Sequence, residues 1–120
     1  MSDCELAYSS FDCPTRVVVI NRVELLKDGT FHPTQKPVKL YKWLLTNYAK
    51  QGDKILDTHM GSQSSRIAAY QMGFDFWGCE IDPEYFEQGC KRFEKEAEQL
   101  ALATQSFRPE KEEIKQVNLF

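Results

Sequence analysis

No Cys-x-x-Cys pair occurs among the four cysteines, Cys4, Cys13, Cys79 and Cys90, and neither His32 nor His59 stands at zinc-ligand spacing from them. That argues against a zinc module and leaves reduced, partly buried thiols as the expectation. No apolar run approaches the length of a membrane span, and no signal peptide precedes the first charges. A soluble, cytoplasmic protein is therefore expected. Basic residues are not in excess: 15 Lys and Arg stand against 18 Asp and Glu, a net charge of −3. Global charge thus makes no case for nucleic-acid binding. There is no internal repeat. The 120 residues suffice for one small domain with a modest core. What is plentiful is aromatic: eight Phe, five Tyr and two Trp, a composition of packing rather than disorder.

The stretch around which the chain is organised is Lys54-Ile-Leu-Asp-Thr-His-Met-Gly-Ser-Gln-Ser-Ser-Arg66. A short apolar run ends in a carboxylate, a loop of small residues follows, and then a helical pattern. Ile55 and Leu56 are expected in a buried strand, with Asp57 at its carboxyl end, where open α/β sheets bind ligands. Gly61 permits a tight turn and close approach of a ligand, and the serines can cap the next helix. That helix is expected from about Gln63 to Met72, with Ile67, Ala68 and Met72 inward and Gly73 as its stop. A second strand, Phe74 to Ile81, again carries an acid, Glu80, near its end. A second acid roughly 20 residues after the first commonly takes ribose hydroxyls. The plainer alternative is a βαβ unit with no ligand, and the incomplete glycine pattern does not decide between them.

Upstream, Cys4 to Phe11 reads as a strand, with Cys4, Leu6 and Tyr8 on one face and Glu5, Ala7 and Ser9 on the other. Pro14 breaks it, and Arg16 to Asn21 is β-branched and reads as another strand. Met1-Ser-Asp leads straight into the first strand, as in the middle of a larger domain. Lys27 to Thr30 is a turn. In His32-Pro-Thr-Gln-Lys-Pro37 the prolines hold an extended loop, and Pro37 suits the first turn of a helix running to about Lys50, ended by Gly52. Leu40, Tyr41, Leu44, Leu45 and Tyr48 fall at helical spacing. Residues 32–54 carry five lysines and one acid, Asp53. Lys39, Lys42 and Lys50 read as a solvated face, whereas Lys36, in the loop, is the better candidate for a ligand contact. Asp82-Pro83 starts a third helix, Asp as N-cap, with Phe86, Cys90, Phe93, Ala97 and Leu100 as a core stripe. Residues 104–120 read as a flexible tail.

In this order the His-Pro-Thr-Gln-Lys-Pro hexapeptide, Ile-Leu-Asp with its small-residue loop, and Gly-Cys-Glu-Ile-Asp resemble the carboxyl-terminal half of a permuted, β-class-like DNA amino-methyltransferase. This is the N6-adenine/N4-cytosine class. The resemblance covers about Ser2 to Glu96. It implies an α/β fold: a partial Rossmann-like sheet with flanking helices, in which residues 1–31 supply strands and a short recognition-like segment. Residues 32–103 then supply the half that binds S-adenosylmethionine (SAM). Carried over by position, Asp57 would lie near the ammonium of SAM. Thr58, His59, Gly61 and Ser62 would line the methionine portion, with His59 beside the pocket. Thr34 and Lys36 would meet the carboxylate, Glu80 would hold the ribose hydroxyls, and Ile81 would pack on the adenine.

Two departures stand out. Gln63 occupies the second glycine position of a Gly-Ser-Gly loop and fits there if its φ is negative, which implies modest affinity. The catalytic Asp/Asn-Pro-Pro-Tyr/Phe tetrapeptide of the class does not occur in the chain, so no catalytic residue is assigned. The chain is expected to be part of a larger or split enzyme of bacterial or phage-like origin. It would contribute the cofactor half of an enzyme acting on DNA, adenine favoured over cytosine. Its partners would be an upstream catalytic half or a second copy. The alternatives are a non-catalytic SAM-binding module and a generic nucleotide-binding domain. At the carboxyl end, Gln116-Val-Asn-Leu-Phe120 resembles peptides that bind the bacterial sliding clamp through Gln116, Leu119 and Phe120.

Overall fold

The computed structural model describes residues 4–106. Its elements follow in the order α1 (Arg22–Lys27), α2 (Val38–Tyr48), β1 (Lys54–Asp57), α3 (Ser64–Gln71), β2 (Asp75–Gly78) and α4 (Pro83–Ser106). β1 and β2 are parallel, with Leu56 opposite Trp77 and Asp57 opposite Gly78. Parallel neighbours need a crossover, and α3 provides it. The central βαβ unit is thus where the sequence puts it, with β2 shorter than the expected Phe74 to Ile81, so that Glu80 lies just beyond the strand.

α3 is the buried element: Ile67 is 1% exposed and Ala68 and Ala69 are fully enclosed, because α2, β2 and α4 all pack on it. Its end follows from Gly73, whose φ of +79° is in the left-handed region. The Phe74 amide donates to the Ala69 carbonyl and the Gly73 amide to that of Tyr70. This is the double hydrogen bond with which a glycine closes a helix.

The expectation of a buried β1 is corrected. Ile55 and Phe76 are half-buried against the helix side, but Leu56 is 67% exposed and Trp77 is exposed with it. Parallel sheets ordinarily carry helices on both faces. Among the described residues only one face is covered, and Lys54 Nζ lies over the bare Trp77 ring, 5.7 Å from its centroid.

The two amino-terminal strands are also corrected. Residues 4–21 run without helix or ladder, and Leu6, Tyr8, Val17 and Val19 are exposed. β-branched residues favour extended backbone but do not supply a partner, and among the described residues the sheet holds β1 and β2 alone. The helix α1 stands just after. Asn21 caps it, its side chain accepting from the Val23 amide at 3.0 Å.

α2 ends at Tyr48, with Ala49 as its C-cap and Gly52 in the following turn. Pro37 is its N-cap rather than its first residue. The Val38 amide instead finds Asp28 Oδ2 at 2.9 Å. α4 begins as expected, with Asp82 Oδ1 accepting from the Glu84 and Tyr85 amides at 2.9 and 3.0 Å. The stripe on α4 is only partly core, since Phe86 and Leu100 are exposed. Helix also continues through residues 104–106, where a flexible tail was expected. The remainder of that tail, with the clamp-like peptide, lies outside the described residues. Cys13 and Cys90 are half-buried, but Cys4 and Cys79 are exposed. Among the described residues no helix is long and apolar enough to cross a membrane.

Candidate functional site

Three segments converge at the carboxyl end of the two strands: the loop after β1, the acid after β2, and the His32–Pro37 loop. The Cys79 amide donates to the Asp57 carbonyl at 2.9 Å, and the Met60 amide to the Cys79 carbonyl at 3.0 Å. The ladder therefore continues past the strands and draws the two loops together. Met60 is buried, and its sulfur occupies the space that Gly78 leaves open: a Cβ there would stand 2.5 Å from Sδ.

Both carboxylates of the site are held by hydrogen bonds. Asp57 Oδ1 accepts from the His59 amide at 3.0 Å and Oδ2 from Ser65 Oγ at 2.5 Å. Glu80 Oε2 accepts from the Gly61 amide at 2.9 Å and Oε1 from the Asp82 amide at 3.0 Å. A carboxylate oxygen has more than one lone pair, so each acid is fixed in place and still able to accept again. Tyr41 on α2 faces the same region. Burial, with the nearby Asp57 charge, raises its phenol above the ordinary value near 10.

Gly61 takes φ +50°, and a Cβ on it would meet the His32 ring at 3.4 Å. His32 in turn lies against Tyr85 of α4, with ring centroids 4.4 Å apart. The Thr34 amide donates to His32 Nδ1 at 3.2 Å, and Thr34 Oγ1 is the same distance from that nitrogen. Gln35 is buried. Its Nε2 donates to the Gly29 carbonyl and its Oε1 accepts from the Phe31 amide. The hexapeptide thus docks on the glycine loop through His32, a residue the sequence reading did not place in the site.

The remaining expected residues divide. Ser62 is buried beside Gly61. Thr58 and His59 are exposed and touch each other, Oγ1 to Nδ1 at 2.9 Å. Lys36 is near the loop but pairs with Glu5 at 2.8 Å. Ile81 is 98% exposed and faces solvent.

Gln63 corrects its expectation: its φ is +64°, not negative. Left-handed backbone disfavours a residue with a Cβ, so the side chain must compensate. It is fully buried. Nε2 donates to the Phe86 carbonyl at 3.2 Å and to Cys90 Sγ at 3.4 Å, while Oε1 accepts from Arg66 at 2.9 Å. Arg92, also on α4, reaches the same loop: its Nη1 donates to the Ser62 carbonyl at 3.0 Å, to Ser62 Oγ at 3.2 Å and to Ser64 Oγ at 2.8 Å. Burial lowers its affinity for the proton. Neither contact had a signal in the sequence, since Arg92 reads there as one more charge on a helix. Among the described residues no group of three or more His, Cys, Asp or Glu could hold a metal.

Residues 16–91 match the N6/N4 DNA methylase family model. The chain is 39% identical over 67 residues to a type II methyltransferase, M2.DpnII, of Streptococcus pneumoniae, covering 56% of this chain and 25% of that one. It is 35% identical over 88 residues to the DNA adenine methyltransferase YhdJ of Escherichia coli K12, covering 72% of this chain and 30% of the other. The chain therefore spans about a quarter to a third of the length of these curated relatives. No solved structure gives a significant match.

Proposed function

The chain belongs to the N6/N4 DNA methylase family, and from that premise we propose that it supplies the SAM-binding part of a DNA amino-methyltransferase. The observation that carries the reading is the pairing of Asp57 and Glu80 across one small-residue loop, Glu80 being tied to the Gly61 amide at 2.9 Å. One fixed carboxylate suits an ammonium and the other a diol, which is the polar chemistry of SAM. The donor set thus fits the ligand. Lys36 fits less well, because a ligand carboxylate would have to displace Glu5 from it.

Bound SAM would supply an activated methyl group on its sulfonium. The residues of this chain bind and orient. Asp57 would receive the ammonium and Glu80 the two ribose hydroxyls. The loop from Thr58 to Ser62 would lie along the methionine portion, which Gly61 lets approach the backbone. Thr34 would face the carboxylate, and Ile81, already solvent-facing, offers an apolar surface to the adenine. The DNA base would be one flipped from the duplex, since its amine is otherwise out of reach. Adenine is favoured because a relative is named for it.

No Asp/Asn-Pro-Pro-Tyr/Phe tetrapeptide occurs in the sequence, so the groups that would aim the amine must come from elsewhere. Losing even one aimed group costs about 10²–10³ in rate. The test is transfer of a labelled methyl group from SAM to mixed-sequence duplex DNA, by the chain alone and with the remaining part of the enzyme added. Turnover is expected only after addition. Turnover by the lone chain overturns this division of labour, and no turnover in either case favours a binding module without catalysis.

A further inference from the structure

Arg92 lies in the middle of α4, far along the chain from the loop it touches. Its side chain is 11% exposed, and arginine is seldom buried without a carboxylate in close contact. The carboxylate paired with it, that of Asp28, stands 3.7 Å from Nη2. The three oxygens in hydrogen-bond reach of the guanidinium all belong to the segment that follows Gly61: the Ser62 carbonyl, Ser62 Oγ and Ser64 Oγ. Nε is enclosed with no hydrogen-bond partner among the described residues. An arginine placed only to stabilise α4 would face solvent or a helix carboxylate, as Lys91 does with Glu87 at 2.8 Å. Arg92 instead spends a costly buried charge on fixing one short loop.

That loop needs fixing. Gly61 and Gln63 both take positive φ, on either side of Ser62, so its backbone is in a conformation that chains rarely hold unaided. All three contacts come from Nη1, whose two hydrogens are shared among a carbonyl and two hydroxyl oxygens, while Nη2 faces Asp28. A rigid plane with a second arm fixes the orientation of the first, and a lysine nitrogen has no such second arm. Arg92 also faces Asp28, whose carboxylate receives the first amide of α2 immediately after the His32–Pro37 loop. One side chain thus joins the glycine loop to the residue that anchors the start of α2.

We infer that Arg92 is a positioning residue: it holds residues Ser62 to Ser64 in the shape that presents Gly61 and Glu80 to the ligand. The inference rests on the cofactor reading above, and its test separates the two. Amide hydrogen exchange, resolved by residue, is measured on the 120-residue chain as wild type, Arg92→Lys and Leu44→Ala. Leu44→Ala is a general destabilisation on α2. SAM binding is titrated in parallel. In Arg92→Lys, the Gly61 and Gln63 amides should exchange faster relative to those of Met72 and Cys79 by about tenfold or more. That is the loss expected for one hydrogen bond to a charged group. SAM affinity should fall with it. In Leu44→Ala all four amides should rise together.

A uniform rise in Arg92→Lys, like that of Leu44→Ala, overturns the inference. So does a loosened loop with unchanged SAM affinity. If Arg92→Lys does not fold, Ser64→Ala removes one acceptor while leaving the guanidinium on Ser62, and the same local contrast is required of it. If the wild type binds no SAM, the cofactor reading fails, and the exchange contrast alone decides whether Arg92 holds the loop.

Discussion

The side chain of Gln63 lies in the space that Gly89 leaves open on α4: a Cβ on Gly89 would stand 2.7 Å from Gln63 Cγ and Nε2. Gln63 cannot swing away, because Phe86, Cys90 and Arg66 hold its amide. Alanine ordinarily improves a helix interior over glycine by up to about 1 kcal/mol. Here overpacking, at about 1–3 kcal/mol, should win. Gly89→Ala is expected to destabilise the chain in urea unfolding, with the midpoint lowered and the slope unchanged.

The backbone of Gln63 makes a second, ordered prediction. Gln63→Gly relieves the left-handed strain but abandons the buried amide contacts, whereas Gln63→Ala abandons the contacts and keeps the strain. Stability should therefore run wild type, then Gln63→Gly, then Gln63→Ala, with the last two separated by about 1 kcal/mol. Denaturant midpoints of the three chains check the order. Gln63→Ala equal to or above Gln63→Gly would show that the positive φ is not a cost.

The helical core and the bare sheet face predict opposite responses to truncation. Ile67 is enclosed between α3 and its neighbours, so Ile67→Ala should cost about 2–5 kcal/mol. Leu56→Thr on the bare face should change stability by less than about 0.5 kcal/mol. Chemical denaturation of both variants decides whether the face carrying Leu56 and Trp77 is open in this chain.

Tyr41 gives a pH dependence. Burial, and then the Asp57 charge, raise its folded-state phenol above the unfolded value near 10. The folded chain thus holds that proton to higher pH than the unfolded chain does, and stability falls as pH rises through this range. The contribution is fully present below pH 10 and is lost as the raised folded value is passed. Tyr41→Phe should flatten this alkaline decline relative to wild type, in urea unfolding followed from neutral pH to above pH 10. Parallel declines would remove Tyr41 from the account.

What could be read in the sequence was whatever is coded locally. Asp57 ends β1, Glu80 follows β2 by two residues, Gly73 stops a helix and Asp82 starts one, because each of these depends on a few adjacent residues. The α1 helix carried such a code too, Asn21 followed three residues later by Glu24, hidden under the β-branched run before it. The hidden part was non-local. Val17 and Val19 look like strand residues, but strand formation depends on a partner elsewhere. Leu56 looks buried, yet one sheet face is uncovered. His32 against Gly61, Gln63 in the notch of Gly89 and Arg92 on Ser62 are contacts between distant segments, and no periodicity announces them.

The central claim is that Glu80 and the Asp57 loop form one cofactor site, and calorimetric titration of SAM into wild type and Glu80→Ala tests it most directly. Removing the carboxylate deletes the proposed acceptor for the ribose hydroxyls and releases the Gly61 amide at the same time. SAM should bind the wild type, and Glu80→Ala should bind it more weakly by about 1–3 kcal/mol, the range for leaving buried polar partners unpaired. Equal affinity in the two chains would contradict the assignment.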